Sequence, residues 1–556
     1  MAEYSFKLVS SLEKLFFDKP THVNAHTHGS MLKNEIYSFQ LAGWVHDDCE
    51  QRICCKLKIE SELASYIEVK RVGYVPVLLP TIEIDDDDDY ITKTPGLFPD
   101  PLYNIQEGVI ELANNQTRAF WISVEPKGEI TGEFPITIKI LNIKDEVLKT
   151  LTFQLEVINA MLPRLDIYNT CWFHGDCIAK LHHVEILSEA YWNLIEKYMK
   201  VYVKFGHNMI LTPIFTPPLD TAMGEERPTN QLVRVTLTDG NYSFDFSSLK
   251  RFIDVCHSCG VEYFEMAHLF TQWGAQHAPK IMATVNGTYQ KIFGWETDGA
   301  GAQYSAFLEA FLPHLVAFLE KEGILQNCRF HISDEPMEAH KEQYCTVKAL
   351  LIKYIDEELL IDALQDYSFY EKGIVKHPVV CNNQIHIFME QGVKDLWTYY
   401  CMAQRAEVSN RFMAMPSYRN RILGAQLYKN SIKGFLQWGF NFWFTQLSTE
   451  VLNPYLDTCA GGGFPSGDSF VVYPLDKEGE VVCSLRLYVF LEGLQDMRAM
   501  KLLEALAGRN AVLCLLEEVD GFKRYPRNCN YILKLREEIN RRIKEKIKFL
   551  VGTVPV

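Results

Sequence analysis

From Leu165 onward the chain repeats one local pattern: a helix-like stretch ends at a glycine, and an apolar strand-like run begins. Gly206 precedes His207–Thr212, Gly260 precedes Val261–Met266, and Gly323 precedes a run that reaches Asp334 and Glu335. Gly392 precedes Leu396–Tyr400, and Gly434 precedes Phe435–Asn441. Glycine accepts the left-handed conformation that stops a helix. Helix, stop and strand repeated in this way describe βα units, which build a parallel sheet. Three further strands are expected at Asp166–Trp172, Leu360–Ser368 and Pro378–Asn382. Eight strands predict a (β/α)8 barrel, TIM-like, over residues 161–507, with a doubly wound sheet as the alternative.

The flanks read differently. Residues 1–160 alternate apolar and polar side chains, as in Ile53–Ile59, Ala119–Val124, Ile136–Ile140 and Leu151–Val157. Period-two segments separated by turn residues predict an N-terminal β-sandwich domain. Met161-Leu-Pro163 is the expected linker. The barrel is expected to end with a helix over Ser484–Leu506. A C-terminal helical extension, 508–556, follows, with Leu513–Val551 helical, strongly charged and packed on the barrel. Asp85–Asp89 reads as a solvated acidic loop. In a chain of 556 residues with a net charge of −16 and no Lys/Arg-rich block, no nucleic-acid partner is expected. No apolar run reaches the roughly 18–20 residues of a membrane span. Met1–Leu15 has no export-signal pattern, and the 15 cysteines follow no disulfide-framework spacing, so a cytoplasmic location is expected. The sequence is compatible with a homo-oligomer.

The chemistry concentrates at Phe330-His-Ile-Ser-Asp-Glu-Pro336. Phe330 and Ile332 suit a buried strand, and Pro336 ends its ladder because it has no N–H to donate. Asp334 and Glu335 then fall at a strand's carboxyl end, where parallel α/β folds place their sites; the plainer alternative is a helix cap. Other strand ends bring Trp397, Tyr399 and Tyr400, then Trp438, Asn441 and Trp443. Rings that cover the C–H faces of a pyranose, with acids and amides for its hydroxyls, suit a sugar, although one or two of the tryptophans are expected in the core. Consecutive Cα atoms are only about 3.8 Å apart. A two-carboxylate retaining glycosidase needs carboxyl groups about 5–5.5 Å apart, usually from different strands. Adjacent acids suit a scheme in which the substrate's own 2-acetamido oxygen attacks the anomeric carbon. Glu335 is then the general acid, and Asp334 orients the acetamide N–H and offsets the oxazolinium-like charge. Their proximity is expected to raise the pKa of the acid.

The chain from about residue 160 to 506 resembles glycoside hydrolase family 123. The resemblance rests on Ser333-Asp-Glu-Pro336, Leu396-Trp-Thr-Tyr399, Gly434-Phe-Leu-Gln-Trp-Gly-Phe-Asn-Phe-Trp443, Gly467-Asp-Ser-Phe470 with Tyr473-Pro474, and Ser484-Leu-Arg-Leu487 with Glu492-Gly493. It implies an N-terminal β-sandwich, a C-terminal barrel and β-N-acetylgalactosaminidase activity by substrate-assisted, retaining catalysis. It also implies Asp334 as the acetamide stabiliser, Glu335 as the acid/base, and a tyrosine on the acetamide oxygen, with Tyr399 the candidate and Tyr400 the runner-up. Two motifs depart from the family: Tyr473-Pro-Leu475 stands where Tyr-Pro-Gly is usual, and Leu491-Glu-Gly493 where Arg-Glu-Gly is typical.

The expected substrate is a glycan or glycoconjugate carrying a 2-acetamido sugar, and the scheme needs no metal or organic cofactor. His331, Trp397, Tyr400, Trp438, Asn441, Trp443 and Asp468 form the expected substrate-binding set. Two alternatives stand beside this reading. One is a two-carboxylate retaining β-glycosidase, which needs a second acid at a later strand end, where Tyr399 and Asn441 stand with Glu407 off the strand. The other is a non-catalytic carbohydrate-binding barrel. Cys256-His-Ser-Cys259 reads as core cysteines, and Gly461-Gly-Gly463 as a loop beside the pocket.

Overall fold

A computed structural model of the chain describes residues 3–19, 23–46, 52–83, 87–272 and 274–552. The chain divides into two compact units, one of Met1–Leu165, Arg405–Asn430 and Val471–Val556, the other of Asp166–Gln404 and Ser431–Phe470. The expected boundaries at 160 and 507 divide the chain by order, and this division follows packing.

In the first unit the period-two segments become strands of two five-stranded sheets. One sheet is antiparallel and runs Glu3–Ser10, Tyr37–His46, Arg118–Val124, Ile67–Val77, Gly96–Asn104. The other runs His28–Lys33, Val147–Met161, Gly132–Leu141, Arg52–Glu60, Val109–Ala113, with its first pair parallel. Alternate residues of both sheets, among them Phe39, Leu41, Phe120, Ile136, Ile138 and Phe153, share one buried core. The rings of Phe39 and Phe153 stack 4.2 Å apart across it.

The helix Leu485–Ala507 belongs to this unit and starts where Ser484 Oγ accepts the Leu487 N–H at 3.2 Å. Its Arg486 is buried in a fork on Asp100, at 2.7 and 2.9 Å. The expected helix over 513–551 is two pieces, Arg509–Leu513 and Cys529–Gly552. The longer one buries Ile532, Leu535, Ile539 and Ile543, and its Asn540 Nδ2 donates to Ser30 O at 3.1 Å. It packs on N-terminal strands, a correction to the expectation that it covers a barrel. Of the acidic run, Asp85 and Asp86 lie outside the described residues. Asp87 is no solvated charge: its side chain is 6% exposed and pairs with Arg419 and Arg527, each at 3.0 Å.

The second unit holds an eight-stranded parallel sheet. Its strands are β1 (Tyr168–Cys171), β2 (Met209–Thr212), β3 (Tyr263–Met266), β4 (Cys328–Phe330), β5 (Asp362–Leu364), β6 (Pro378–Cys381), β7 (Trp397–Tyr399) and β8 (Gly434–Gln437). The order is β4-β3-β2-β1-β8-β7-β6-β5, each neighbour parallel. The expected (β/α)8 barrel is not what forms. The ladder is open between β4 and β5, where one bridge, Phe330 to Leu360, replaces strand pairing. The last helix expected of the barrel, Ser484–Leu506, forms as Leu485–Ala507 and falls in the other unit, as do two short helices, Ser417–Arg421 and Leu423–Lys429. An extra four-stranded sheet (Arg234–Thr238, Asn241–Asp245, Ile281–Val285, Thr288–Phe293) is inserted in the loops. The physical reason for the opening is local: beyond Phe330 the chain leaves the strand, and the Ile332 N–H is taken by the Asp362 side chain at 3.0 Å instead of by a β5 carbonyl.

Local signals explain the rest of the rhythm. Gly260 closes the helix Ser247–Cys259 at φ 103°. Gly434 does something else. It is the first residue of β8, and a Cβ there would lie 2.0 Å from Trp397 Cδ2, so glycine is needed for close packing and not for a helix stop.

Candidate active site

Strand β4 ends at Phe330, earlier than its apolar pattern suggests. His331 to Pro336 are irregular, and a regular helix begins only at Lys341. Ser333 pins this turn: its Oγ donates to Thr271 O at 2.9 Å and accepts Ala275 N–H at 3.0 Å. Glu335 then takes φ +40°, a left-handed conformation rare outside glycine. Such strain persists only where surrounding structure enforces it, and functional sites are where it collects. The kink directs two adjacent carboxylates onto one cavity.

That cavity has a volume of about 280 Å³ and is lined by Asp334, Glu335, Tyr399, Tyr400, Trp172 and Trp438, among others. The size approaches the lower end of the roughly 300–1,000 Å³ typical of small-ligand sites. Tyr399, at the end of β7, is buried and donates its O–H to Glu335 Oε1. Burial and the Glu335 charge push the Tyr399 phenol well above the usual tyrosine range, so it stays a donor. The expected rise in carboxyl pKa falls on Asp334. Burial lifts it well above the usual aspartate range, the Glu335 charge adds to that, and His331 acts against both.

Trp438 forms an aromatic wall, with Phe442 and Phe464 each 5.0 Å away, centroid to centroid. Its Nε1 donates to Asp468 Oδ2 at 3.0 Å. Asp468 is therefore buried behind the indole as its mount, outside the lining. Tyr400 lines the cavity beside Tyr399.

Four other residues of the expected substrate set lie off the cavity surface. Trp397 is buried, stacked on Tyr168 at 4.9 Å. Trp443 is buried with its ring 5.9 Å from Tyr198. Asn441 spends its amide on His174, accepting the N–H and donating to the carbonyl oxygen, both at 2.9 Å. His331 is wholly buried between Glu265 and Asp362. Each is a residue type that sugar sites use, and burial alone separates it from the surface.

Sequence reasoning missed residues on the loops and on β1. Trp172 follows β1 and lines the cavity, its Nε1 donating to Glu265 Oε1 at 2.6 Å. His174 lines it too; Arg227 donates to its Nδ1 at 3.1 Å, and its Nε2 lies 3.0 Å from Trp438 O. Burial, then the Arg227 charge, lower its pKa to about 4. Gln272, nearly buried, presents an Oε1 with no protein hydrogen bond. Asp220 is a third carboxyl on the cavity, its Oδ2 accepting the Leu447 N–H at 3.1 Å. Burial raises its pKa to about 6. Nothing in Pro218-Leu-Asp220-Thr marks that acid as part of a site. A larger cavity, about 830 Å³, lies among Lys180, His183, Arg234, Thr284 and Tyr289, and has no adjacent acids on it.

Residues 172–503 match a family described as "Glycoside hydrolase 123, catalytic domain". Of solved structures, a family 123 glycoside hydrolase from Clostridium perfringens, studied for glycolipid glycan hydrolysis, superposes with a TM-score of 0.74 at 15% identity, covering 99% of each chain. It shares the fold. A Parabacteroides merdae β-glucuronidase aligns with a TM-score of 0.31 at 10% identity, over 89% of this chain and 53% of that one. A Bifidobacterium dentium β-glucuronidase aligns with a TM-score of 0.32 at 9% identity, over 88% and 66%. Likeness that low carries no argument. No curated protein matches the chain.

Proposed function

Because the chain belongs to glycoside hydrolase family 123, and is a glycosidase on that ground, we propose that it removes terminal β-linked N-acetylgalactosamine, or a related 2-acetamido sugar, by substrate-assisted retaining catalysis. Glu335 donates its proton to the glycosidic oxygen as the C1–O bond breaks. The acetamide oxygen attacks C1 from the opposite face and forms an oxazolinium-type intermediate. Asp334 accepts the acetamide N–H and offsets the positive charge. Glu335 then takes a proton from water as the water opens the ring at C1, and two inversions leave the configuration retained. Tyr399 passes its O–H from Glu335 to the acetamide oxygen when the sugar enters, which frees the acid to donate. Trp172 and Trp438 cover the apolar sugar faces.

The observation that carries this reading is the adjacent Asp334–Glu335 pair on one cavity, with Glu335 at a left-handed φ and Tyr399 bonded to it. The presence of Asp220 on the same cavity favours a second reading, in which Asp220 and Glu335 work as a two-carboxylate pair and Asp334 only orients. A panel of nitrophenyl glycosides decides. The proposal expects cleavage of β-2-acetamido sugars alone, inhibition by a thiazoline mimic of the intermediate, and loss of about 10²–10⁴ in rate for Glu335→Gln on substrates with poor leaving groups. Cleavage of sugars lacking the acetamide, abolished by Asp220→Asn, would establish the second reading.

A further inference from the structure

Behind the paired acids runs a buried line of charge that the reaction scheme above leaves idle. Glu265 on β3 is fully buried and accepts three hydrogen bonds: from Thr170 Oγ1 at 2.7 Å, from Trp172 Nε1 at 2.6 Å, and from His331 Nε2 at 2.6 Å. The other imidazole nitrogen, Nδ1, lies 3.6 Å from Asp362 Oδ1. Asp362 also accepts the Ile332 N–H at 3.0 Å and the Tyr344 O–H. A neutral imidazole carries one bare lone pair, and here that lone pair would face a carboxylate on either side. With both carboxyl groups ionised, the doubly protonated ring is the form that turns an N–H toward each.

We propose that His331 is a permanent buried cation, held by Glu265 and Asp362, which positions Trp172 as a cavity wall and opposes the burial and negative charge around Asp334, three residues along the chain. It is a positioning residue and not a sugar ligand, and the inference rests on the role assigned to Asp334 above.

The surroundings fit. Burial disfavours the cation, yet hydrogen bonding and charge from Asp362 and Glu265 hold its pKa up to about 9. The ring stacked on it, His268 at 4.2 Å and 18°, is held neutral by burial and by repulsion from His331. Asp334 has three influences raising its pKa: burial first, then the charges of Glu335 and Asp362. His331 is the opposing one. Without it the carboxylate that must meet an oxazolinium charge would hold its proton to higher pH. One glutamate thus ties a sugar-facing indole and a catalytic carboxylate to the same cation.

The test is the pH profile of kcat/KM, read at its acidic limb, where Asp334 must lose its proton. Removing the cation in His331→Asn moves that limb to higher pH, by about one pH unit, the smaller end of what an opposite charge nearby provides. Removing a negative neighbour in Asp362→Asn moves it to lower pH, because Glu265 still partners the imidazole. Shifts in opposite directions support the proposal; equal losses of kcat with both limbs in place overturn it. Should either variant fail to fold, nitrogen NMR of the ¹⁵N-histidine-labelled native protein gives an independent reading. A histidine with both nitrogens protonated at pH 8 supports the proposal, and neutral tautomers for every buried histidine at pH 7 overturn it. The NMR measurement needs no substrate. A native enzyme indifferent to thiazoline would remove the role of Asp334 while leaving the charge of His331 standing.

Discussion

Tyr399→Phe isolates one hydrogen atom at the centre of the proposed chemistry. The phenol is buried, and its O–H is donated to Glu335 Oε1. Phenylalanine keeps the ring that packs at the end of β7, so the perturbation is the loss of a donor and little else. In the proposed transition state that donor serves the acetamide oxygen as it attacks C1. A hydrogen bond to a charged group contributes about 1.5–3 kcal/mol net. At about 1.36 kcal/mol per factor of ten, the expected loss is about 10- to 150-fold. Because the interaction strengthens as charge develops, the loss belongs in kcat, with KM near the native value. Thiazoline affinity should fall by a smaller factor, since the mimic places sulfur, a weak acceptor, where the acetamide oxygen would take the Tyr399 O–H. The assay is steady-state hydrolysis of a 2-acetamido glycoside with an unactivated leaving group, beside inhibition by the thiazoline. A variant with native kcat and raised KM would mean the phenol only binds the ground state, and the reasoning would fail. A native kcat with native inhibition would remove Tyr399 from the mechanism altogether and pass the role to Tyr400.

Two predictions concern stability. Gly434→Ala places a methyl group 2.0 Å from Trp397 Cδ2, so the indole or β8 must move; overpacking of this kind costs about 1–3 kcal/mol, seen as a lower midpoint in thermal or urea unfolding. Arg486→Met leaves Asp100 buried without its fork of 2.7 and 2.9 Å bonds; breaking a buried pair from one side costs about 3–5 kcal/mol, and unfolding followed by circular dichroism should show it. A change below about 1 kcal/mol in that variant would mean Tyr473, which also bonds Asp100 Oδ2 at 2.5 Å, suffices to hold the carboxylate.

How much was legible beforehand differs by element. The alternation in Ile136–Ile140 reports one buried face and is enough to place a strand, because a sheet has period two. The glycine stops at Gly206, Gly260, Gly323 and Gly392, all at positive φ, placed four of the parallel strands by a signal that is also local. Closure of the sheet was not local. Whether β4 and β5 pair depends on where the chain leaves the strand, and after Phe330 it enters a turn that Ser333 pins to Thr271 and Ala275. No pattern within the strand announces those partners.

The candidate site divides along the same line. By itself the sequence determined that two acids stand next to each other, that tyrosine follows them at a later strand end, and that aromatic residues are plentiful there, since adjacency and periodicity are properties of the chain. Only the tertiary structure decided which rings face the cavity. Trp438 does, while Trp397 and Trp443 are packed away from it and Asn441 is consumed by His174. It also brought Asp220 and Trp172 to the acids and set Glu265 and Asp362 against His331. The physical reason is that a side chain's exposure and charge partners are set by residues tens or hundreds of positions away, which meet only when the sheet forms.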